Sequence, residues 1–339
     1  MVHAADRRIA GVPWNDRTRR LGILGAAGLL LAVVIGIFAY NIYEERIGRP
    51  NTVILSVEGE DFTLRYYADR LGGFLKANNA TSSTIQLLEE DLLNKLEREA
   101  VGVKLAAEKN VPLGNEDILN FIASQFGVQR GASGSSFDTL YRAQLRAQAV
   151  SDGTFKRLKT AELAESKLQD SSRAEIGDKG DQYVLRSVLA ASKAAIPDTA
   201  TTKGVIGADD ILKRLQAGED FGSIAQKESL DLASRQQDGL MLPEPIELLP
   251  AAIQAALKDK KIGELIGPVQ VQDKWWVFKI ERVEPVDYSA NQKTDLGKIR
   301  LDALINQTRS TLRAAGKIKS SLSASDITWA QNNASVPTP

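Results

Sequence analysis

ILKRLQAGEDFGSIAQKESLD, Ile211–Asp231, is the stretch whose reading decides the fold of this chain. It reads as helix, turn, helix. Ile211, Leu212 and Leu215 fall at helical spacing, and Gly218 stands where a helix end favours a residue tolerant of positive φ. Asp220 is placed to cap a second short helix, whose apolar residues are Phe221, Ile224 and Ala225. Further on comes IGELIGPVQVQDKWWVFKI, Ile262–Ile280. Two strand-like runs, Val269–Val271 and Trp275–Ile280, are joined there by a polar turn at Asp273–Lys274.

A chain of 339 residues has room for two domains or three small ones. Its net charge is zero, with 43 charges of each sign, so no basic excess points to a nucleic-acid partner. Cysteine is absent, which excludes a disulfide framework, a thiolate metal site and a cysteine nucleophile. The one histidine, His3, lies in the N-terminal tail. That removes most metal sites and every Ser-His or Cys-His arrangement from the folded part, and no metal or cofactor is expected.

The first 20 residues are polar and carry Arg7, Arg8, Arg17, Arg19 and Arg20. Leu21–Tyr43, LGILGAAGLLLAVVIGIFAYNIY, has no charge. As a helix it spans roughly 35 Å, enough for a hydrocarbon core of about 30 Å. A cleaved signal peptide would have a shorter apolar run and a small-x-small site at its end. The long run, ending in Phe38, Tyr40 and Tyr43, favours an uncleaved transmembrane anchor with an interfacial aromatic belt. The arginines ahead of it place the N-terminus in the cytoplasm, so the expectation is a single-pass cell-membrane protein with its bulk outside the cytoplasm.

Beyond the anchor, TVILSVEGEDF predicts strand around a turn at Glu58–Glu60, and Thr63–Lys76 predicts helix. Ser83–Asn110 is an amphipathic helix with Leu88, Leu92, Leu96, Ala100 and Val103 on one stripe. Asn115–Gln125 starts another helix. Gly127–Ser136 is a loop, and Phe137–Gln169 is helical with a break near Ser151–Gly153. Ser171–Asp181 reads as a linker by composition. Asn291–Ala315 is again amphipathic, through Leu301, Leu304, Ile305, Thr308 and Leu312. Residues 317–339 read as a partly disordered C-terminal tail, polar from Thr328 onward.

Three runs, LQAGEDFGSIAQKES, ALKDKKIGELIGPV and WWVFKIERVEP, resemble a parvulin-type (PpiC-like) peptidyl-prolyl isomerase domain in order and spacing across Tyr183–Pro285. Leu92–Pro112 and the helices that follow it resemble the N-terminal chaperone domain of SurA-like and PrsA-like foldases, over Val53–Asp170. The resemblance implies an α+β chain of the membrane-anchored SurA, PrsA and PpiD type. Its parts would be a cytoplasmic tail (1–20), a transmembrane helix (21–43), a helical chaperone-like domain (50–170) completed by a returning helix (289–316), and a parvulin-like domain (182–285) with a small antiparallel sheet and surrounding helices.

Rotation about an X–Pro bond crosses a barrier of about 18–20 kcal/mol because the amide is partly double-bonded. An isomerase needs an apolar cup for the proline ring and polar groups favouring the twisted amide. In the parvulin family these are two facing histidines, an Asp or Cys, and Met/Leu and Phe side chains. In this chain Ser187 stands at the first histidine position and Trp276 at the second. Asp231 matches the Asp/Cys position. The family's Gly-Gly-Asp-Leu-Gly loop becomes Gln237–Met241. The cup falls near Ile246, Leu249, Pro250 and Ile253. The catalytic candidates are thus Asp231 and Ser187, and the substrate-binding candidates Ile246, Leu249, Ile253 and Trp276.

Each has a plain structural alternative. Asp231 also suits a helix cap, and Ile246 and Ile253 also suit an ordinary core. Trp275 and Trp276 alternate across a strand, which predicts one in the core and the other exposed or half-buried. With both histidines missing, the reading is a foldase that binds extended segments of unfolded or exported polypeptides. The alternatives are an active prolyl isomerase and a structural subunit with a membrane-complex partner.

Overall fold

The computed structural model describes residues 8–9, 12–13, 16–77, 85–131, 136–148, 150–197 and 205–334. In chain order come α1 (Asp16–Tyr43), β1 (Val53–Val57), β2 (Glu60–Thr63), α2 (Leu64–Ala77), α3 (Ile85–Glu108), α4 (Asn115–Gln125), α5 (Phe137–Gln148) and α6 (Asp152–Ala174). They are followed by β3 (Lys179–Ala190), α7 (Ala208–Gln216), α8 (Phe221–Glu228), α9 (Leu232–Arg235), α10 (Ala251–Leu257), β4 (Leu265–Val271) and β5 (Lys274–Asp287). The chain then forms α11 (Ala290–Ala314), β6 (Ile318–Ser320) and α12 (Ala324–Asn333). The class is α+β, with the helices segregated around two three-stranded antiparallel sheets, and a two-stranded ribbon pairs Arg8–Ile9 with Val12–Pro13 ahead of α1.

Two compact units result. The first takes Met1–Lys104, Pro112–Glu162 and Thr308–Pro339, and the second Leu105–Val111 and Leu163–Gln307. In the first unit, α1 exposes every described side chain from Leu21 to Tyr43. The stretch Ile23–Asn51 is long and apolar enough to cross a membrane. Past Tyr43 the helix widens over Glu44–Gly48 and tightens over Arg49–Asn51 before β1 begins.

The hairpin β1–β2 turns at Glu58 and Gly59, both at positive φ, which suits a two-residue connection between right-twisted strands. Ile54, Leu55, Val57 and Phe62 point inward with Tyr67 and Leu71 of α2 and Leu92 and Leu96 of α3. Charge is buried here as well. Arg70 forks onto Glu99 at 2.8 and 2.9 Å and also donates to the Tyr66 hydroxyl at 3.0 Å. Glu97 is buried on α3 and receives Arg309 and Arg313 of the last turns of α11, at 2.9 and 2.8 Å. Burial pushes the Tyr66 hydroxyl above its usual value.

The C-terminal region departs from the sequence expectation of a partly disordered tail over 317–339. Residues 318–320 form β6, the third strand of a sheet ordered β2-β1-β6, with Leu55 opposite Ser320 and Val57 opposite Ile318. α12 follows behind a capping box in which Ser323 and Asp326 satisfy each other's backbone N–H. It buries Trp329 and Ala330. The Trp329 indole N–H donates to Glu45 at 3.0 Å, and Arg49 donates to the Ser325 carbonyl at 2.8 Å. A polar composition hid a segment ordered by distant partners. Residues 335–339, like His3 and Arg7, lie outside the described residues.

In the second unit, the expected linker at 171–181 is also corrected. α6 continues to Ala174, Ile176 is buried, and β3 starts at Lys179. The reason is packing by α11. A Cβ on Gly297 would lie 3.0 Å from the Arg173 Cα, so the two helices touch backbone to backbone.

The sheet of this unit is ordered β3-β5-β4. A twelve-pair ladder joins β3 to β5, with one irregularity between Val184 and Leu185. Residues 239–244 run along the free edge of β3, with hydrogen bonds from Ser187 N to Gly239 O, Met241 N to Leu185 O and Tyr183 N to Glu244 O, all 2.8 Å. One sheet face is covered by α7 and α8 through Ile211, Leu215, Phe221 and Ile224 packed on Val188 and Val277. The other is covered by Leu249 and by Ile253 and Leu257 of α10, on Leu185, Phe278 and Ile280.

Candidate functional site

The two short helices that open the sequence reading hold the site's backbone in place. Gly218 has φ of 94° and closes α7, and Asp220 caps α8 by accepting from Ser223 N at 2.8 Å. That backbone N–H holds the Asp220 carboxyl below its ordinary value. α8 packs on the sheet, and its far end hands the chain to Ser229. The Ser229 hydroxyl accepts from Leu189 N of β3 at 3.1 Å and from Asp231 N at 3.2 Å. Asp231 is thereby fixed one short loop away from the strand that carries Ser187.

Asp231 is the N-cap of α9. Its carboxylate accepts from Ala233 N and Ser234 N, both at 3.3 Å, and from the Ser234 hydroxyl at 2.5 Å. Ser187 is fully buried, and its hydroxyl donates to Ser234 Oγ at 3.3 Å. The two catalytic candidates therefore belong to one relay, Ser187–Ser234–Asp231, but they do not touch. Ser234 is the member that sequence reasoning missed. Its signal was the Asp-x-x-Ser spacing of a capped helix start, which points as readily to a cap as to a site.

Gly239, in place of the family's glycine-rich loop, is also structural in its contacts. At φ of 81° it slips between the strand and α8, where a Cβ would come within 2.8 Å of the Ser187 carbonyl oxygen. Arg186 clamps the same loop by donating to the Asp238 carbonyl at 2.7 Å and to Glu281 at 2.9 Å.

The four substrate-binding candidates gather on one sheet face. Leu249 and Ile253 are 7% and 5% exposed and form part of its core, while Ile246 and Trp276 are half-buried against it. Trp276 stacks on Phe278 with ring centroids 5.7 Å apart and planes 6° apart. Of Trp275 and Trp276, expected as one in the core and the other exposed or half-buried, neither is core. Both are half-buried, Trp275 against the α7–α8 core and Trp276 against the α10 core, because helices cover both faces. Three leucines stand out in solvent beside this region of sequence, Leu230 and Leu232 flanking Asp231, and Leu242.

The relay contains two hydroxyls and one carboxylate. A fully buried Ser187, engaged with Ser234, has no free path to a bound peptide. The arrangement can brace the strand against α9 and offer an apolar edge to a chain. Among the described residues no group of three or more His, Cys, Asp or Glu is placed to hold a metal ion.

Comparison with known proteins agrees with this domain. Residues 184–282 match the family model for a rotamase, the PPIC-type PPIase domain. The foldase protein PrsA of Caldanaerobacter subterraneus subsp. tengcongensis is 33% identical over 82 residues. That match takes in 24% of this chain and only 27% of the relative's length. Among solved structures, the peptidylprolyl isomerase PrsA from Bacillus anthracis is 16% identical over 71% of this chain and 95% of its own, with a TM-score of 0.37. A chain from a study of two SurA-like chaperones of Campylobacter jejuni is 14% identical over 78% of this chain and 98% of its own, with a TM-score of 0.26. The second unit of this chain carries a PPIC-type parvulin domain.

Proposed function

We propose that the chain is a membrane-anchored, extracytoplasmic foldase that holds extended segments of exported polypeptides, its parvulin-type domain keeping at most residual isomerase activity. The observation that carries this is the substitution pattern inside the domain of residues 184–282. Ser187 and Trp276 occupy the two positions where the family resemblance puts histidines. The first is buried in a structural relay, and the second is stacked in the apolar layer. Ile246 and Trp276, with Leu249 and Ile253 behind them, present an apolar edge suited to chain binding, since aromatic groups offer large contact area with few rotamers to fix. The anchor is the exposed apolar helix α1, and the arginines ahead of it orient it with the tail in the cytoplasm.

A second reading, an active isomerase, is favoured by the family match itself. The full chain in detergent micelles separates the two. We expect NMR exchange of an Xaa-Pro peptide to stay near the uncatalysed rate of tens to hundreds of seconds, while the chain suppresses aggregation of an unfolded client. Exchange accelerated far above that rate, and lost in Asp231→Ala, would replace the holdase by the enzyme. Protease treatment of sealed membrane vesicles tests the orientation. Cleavage of residues beyond Thr52 only from the extracytoplasmic side is the expected result.

A further inference from the structure

A cleft of about 390 Å³ opens in the first unit where the extension of α1 meets α12, within the size range of ligand pockets. Glu45 and Arg49, four residues apart, form one wall. Ser325, Thr328, Trp329 and Asn332 form the other, at the spacing of a single helix face.

The cleft carries both signs of charge. Arg49 donates to Glu45 at 3.2 Å and to the Ser325 carbonyl at 2.8 Å. Its side chain is 27% exposed, and its guanidinium fork has further N–H donors beyond those two bonds. Glu45, 56% exposed, accepts from Arg49 through Oε1 and from the Trp329 indole N–H through Oε2 at 3.0 Å. Each carboxylate oxygen has a second lone pair, so Glu45 can also receive an N–H from a cation. Thr328 and Asn332 are exposed and add a hydroxyl and an amide.

Height along the anchor narrows the ligand. At 1.5 Å per residue, Glu45 and Arg49 lie about 3 and 9 Å beyond Tyr43. The polar layer on each side of a bilayer is about 5–8 Å thick, so Glu45 falls within it and Arg49 at its outer border. Tyr40 and Tyr43 below the cleft, and Ile47 between its two charges, are all exposed. A cleft of both signs above an apolar and aromatic collar has the polarity profile of a phospholipid, charges above and chains below. A free phosphate or a soluble zwitterion makes no use of the collar.

We propose that this cleft seats the zwitterionic headgroup of a membrane phospholipid bearing a primary ammonium. The phosphate oxygens accept from Arg49 and Asn332, the ammonium donates to Glu45, and the chains pass over Ile47 and Tyr43. One cation and one anion in the cleft disfavour a purely anionic headgroup. A fully methylated ammonium has no N–H to give Glu45. The bound lipid ties α12 to the anchor at the membrane surface. The inference rests on the anchor reading above and adds a lipid class to it.

The test is native mass spectrometry of the full chain released from detergent micelles, with phosphatidylethanolamine, phosphatidylglycerol or phosphatidylcholine added. One phosphatidylethanolamine should be retained with an affinity about tenfold or more above the other two. Arg49→Met keeps the side-chain stem and removes the fork. It should abolish that preference. Asn332→Glu, at an exposed position of α12, brings a competing anion to Arg49; it should do the same and carries the test if Arg49→Met does not fold. Equal retention of the three lipids, or parent-like preference in a folded variant, overturns the site. Displacement of the lipid by an equal concentration of soluble phosphoethanolamine overturns the membrane source. Flotation of the chain with liposomes reads the anchor separately. A chain that floats without the preference loses the cleft alone, and one that does not float loses both.

Discussion

At the scale of single residues, two helical glycines make opposite predictions. Gly73→Ala should raise stability by about 0.5–1 kcal/mol, the ordinary gain for removing glycine from a helix interior, because a Cβ there meets nothing. Gly297→Ala should instead lower stability by about 1–3 kcal/mol, because the new methyl meets the backbone of Arg173. Urea denaturation of both variants checks the pair, and equal signs would contradict the close α6–α11 contact. Glu244 provides a pH test. Burial pushes its carboxyl above the usual value, Gln292 partly offsets this, and Asp295 adds to it. A raised folded-state value means its stabilisation is full below the unfolded value of 4.5 and is lost as pH rises through the folded value. Glu244→Gln should therefore match the parent at pH 4 and exceed it at pH 7, by no more than about 0.5 kcal/mol for so open a site. Thermal midpoints at the two pH values give the answer.

At the scale of elements, the helix–turn–helix of Ile211–Asp231 was legible because its signals are local: Gly218 at the turn, Asp220 at the cap, and apolar residues at helical spacing. The site was legible only in part. The family resemblance points to Ser187 and Asp231, but the hydroxyl joining them belongs to Ser234, and no local pattern separates such a link from a cap. The apolar candidates share one apolar layer, yet a sequence cannot tell a cup from the layer beneath a helix when both use Leu249 and Ile253. α12 and β6 were missed because their partners are distant in sequence. Asp231→Ala should cost about 1 kcal/mol, as for an ordinary N-cap, with client binding unchanged; anisotropy and urea melts read the two effects separately. The buried Arg70–Glu99 pair makes a stronger demand. Arg70→Ala strands a carboxylate and should cost about 3–5 kcal/mol, whereas Arg70→Met with Glu99→Leu should recover most of that. A single variant as mild as the double one would mean that water reaches the pair.

At the scale of the whole molecule, each compact unit is assembled from separated stretches of chain. The parvulin-type domain sits within the sequence of the helical unit, whose last pieces are β6 and α12. Truncation after Gly316 should remove an edge strand and the burial of Trp329, and so destabilise the helical unit while sparing the residue 184–282 domain. Limited proteolysis followed by mass spectrometry would show cuts confined to the helical unit; protection of both would contradict the role given to the C-terminal segment.

The pairing of β1 with β6 also sets an order of events during biosynthesis. The bond from Lys317 to Glu58 spans 259 residues. At 5–20 residues per second, roughly 10–50 s pass between the emergence of one strand and that of its partner. In that interval the domain encoded between them has the time and the complete sequence to fold, while β1 waits with one edge open. A ribosome stalled before residue 318 would leave that edge without its partner strand.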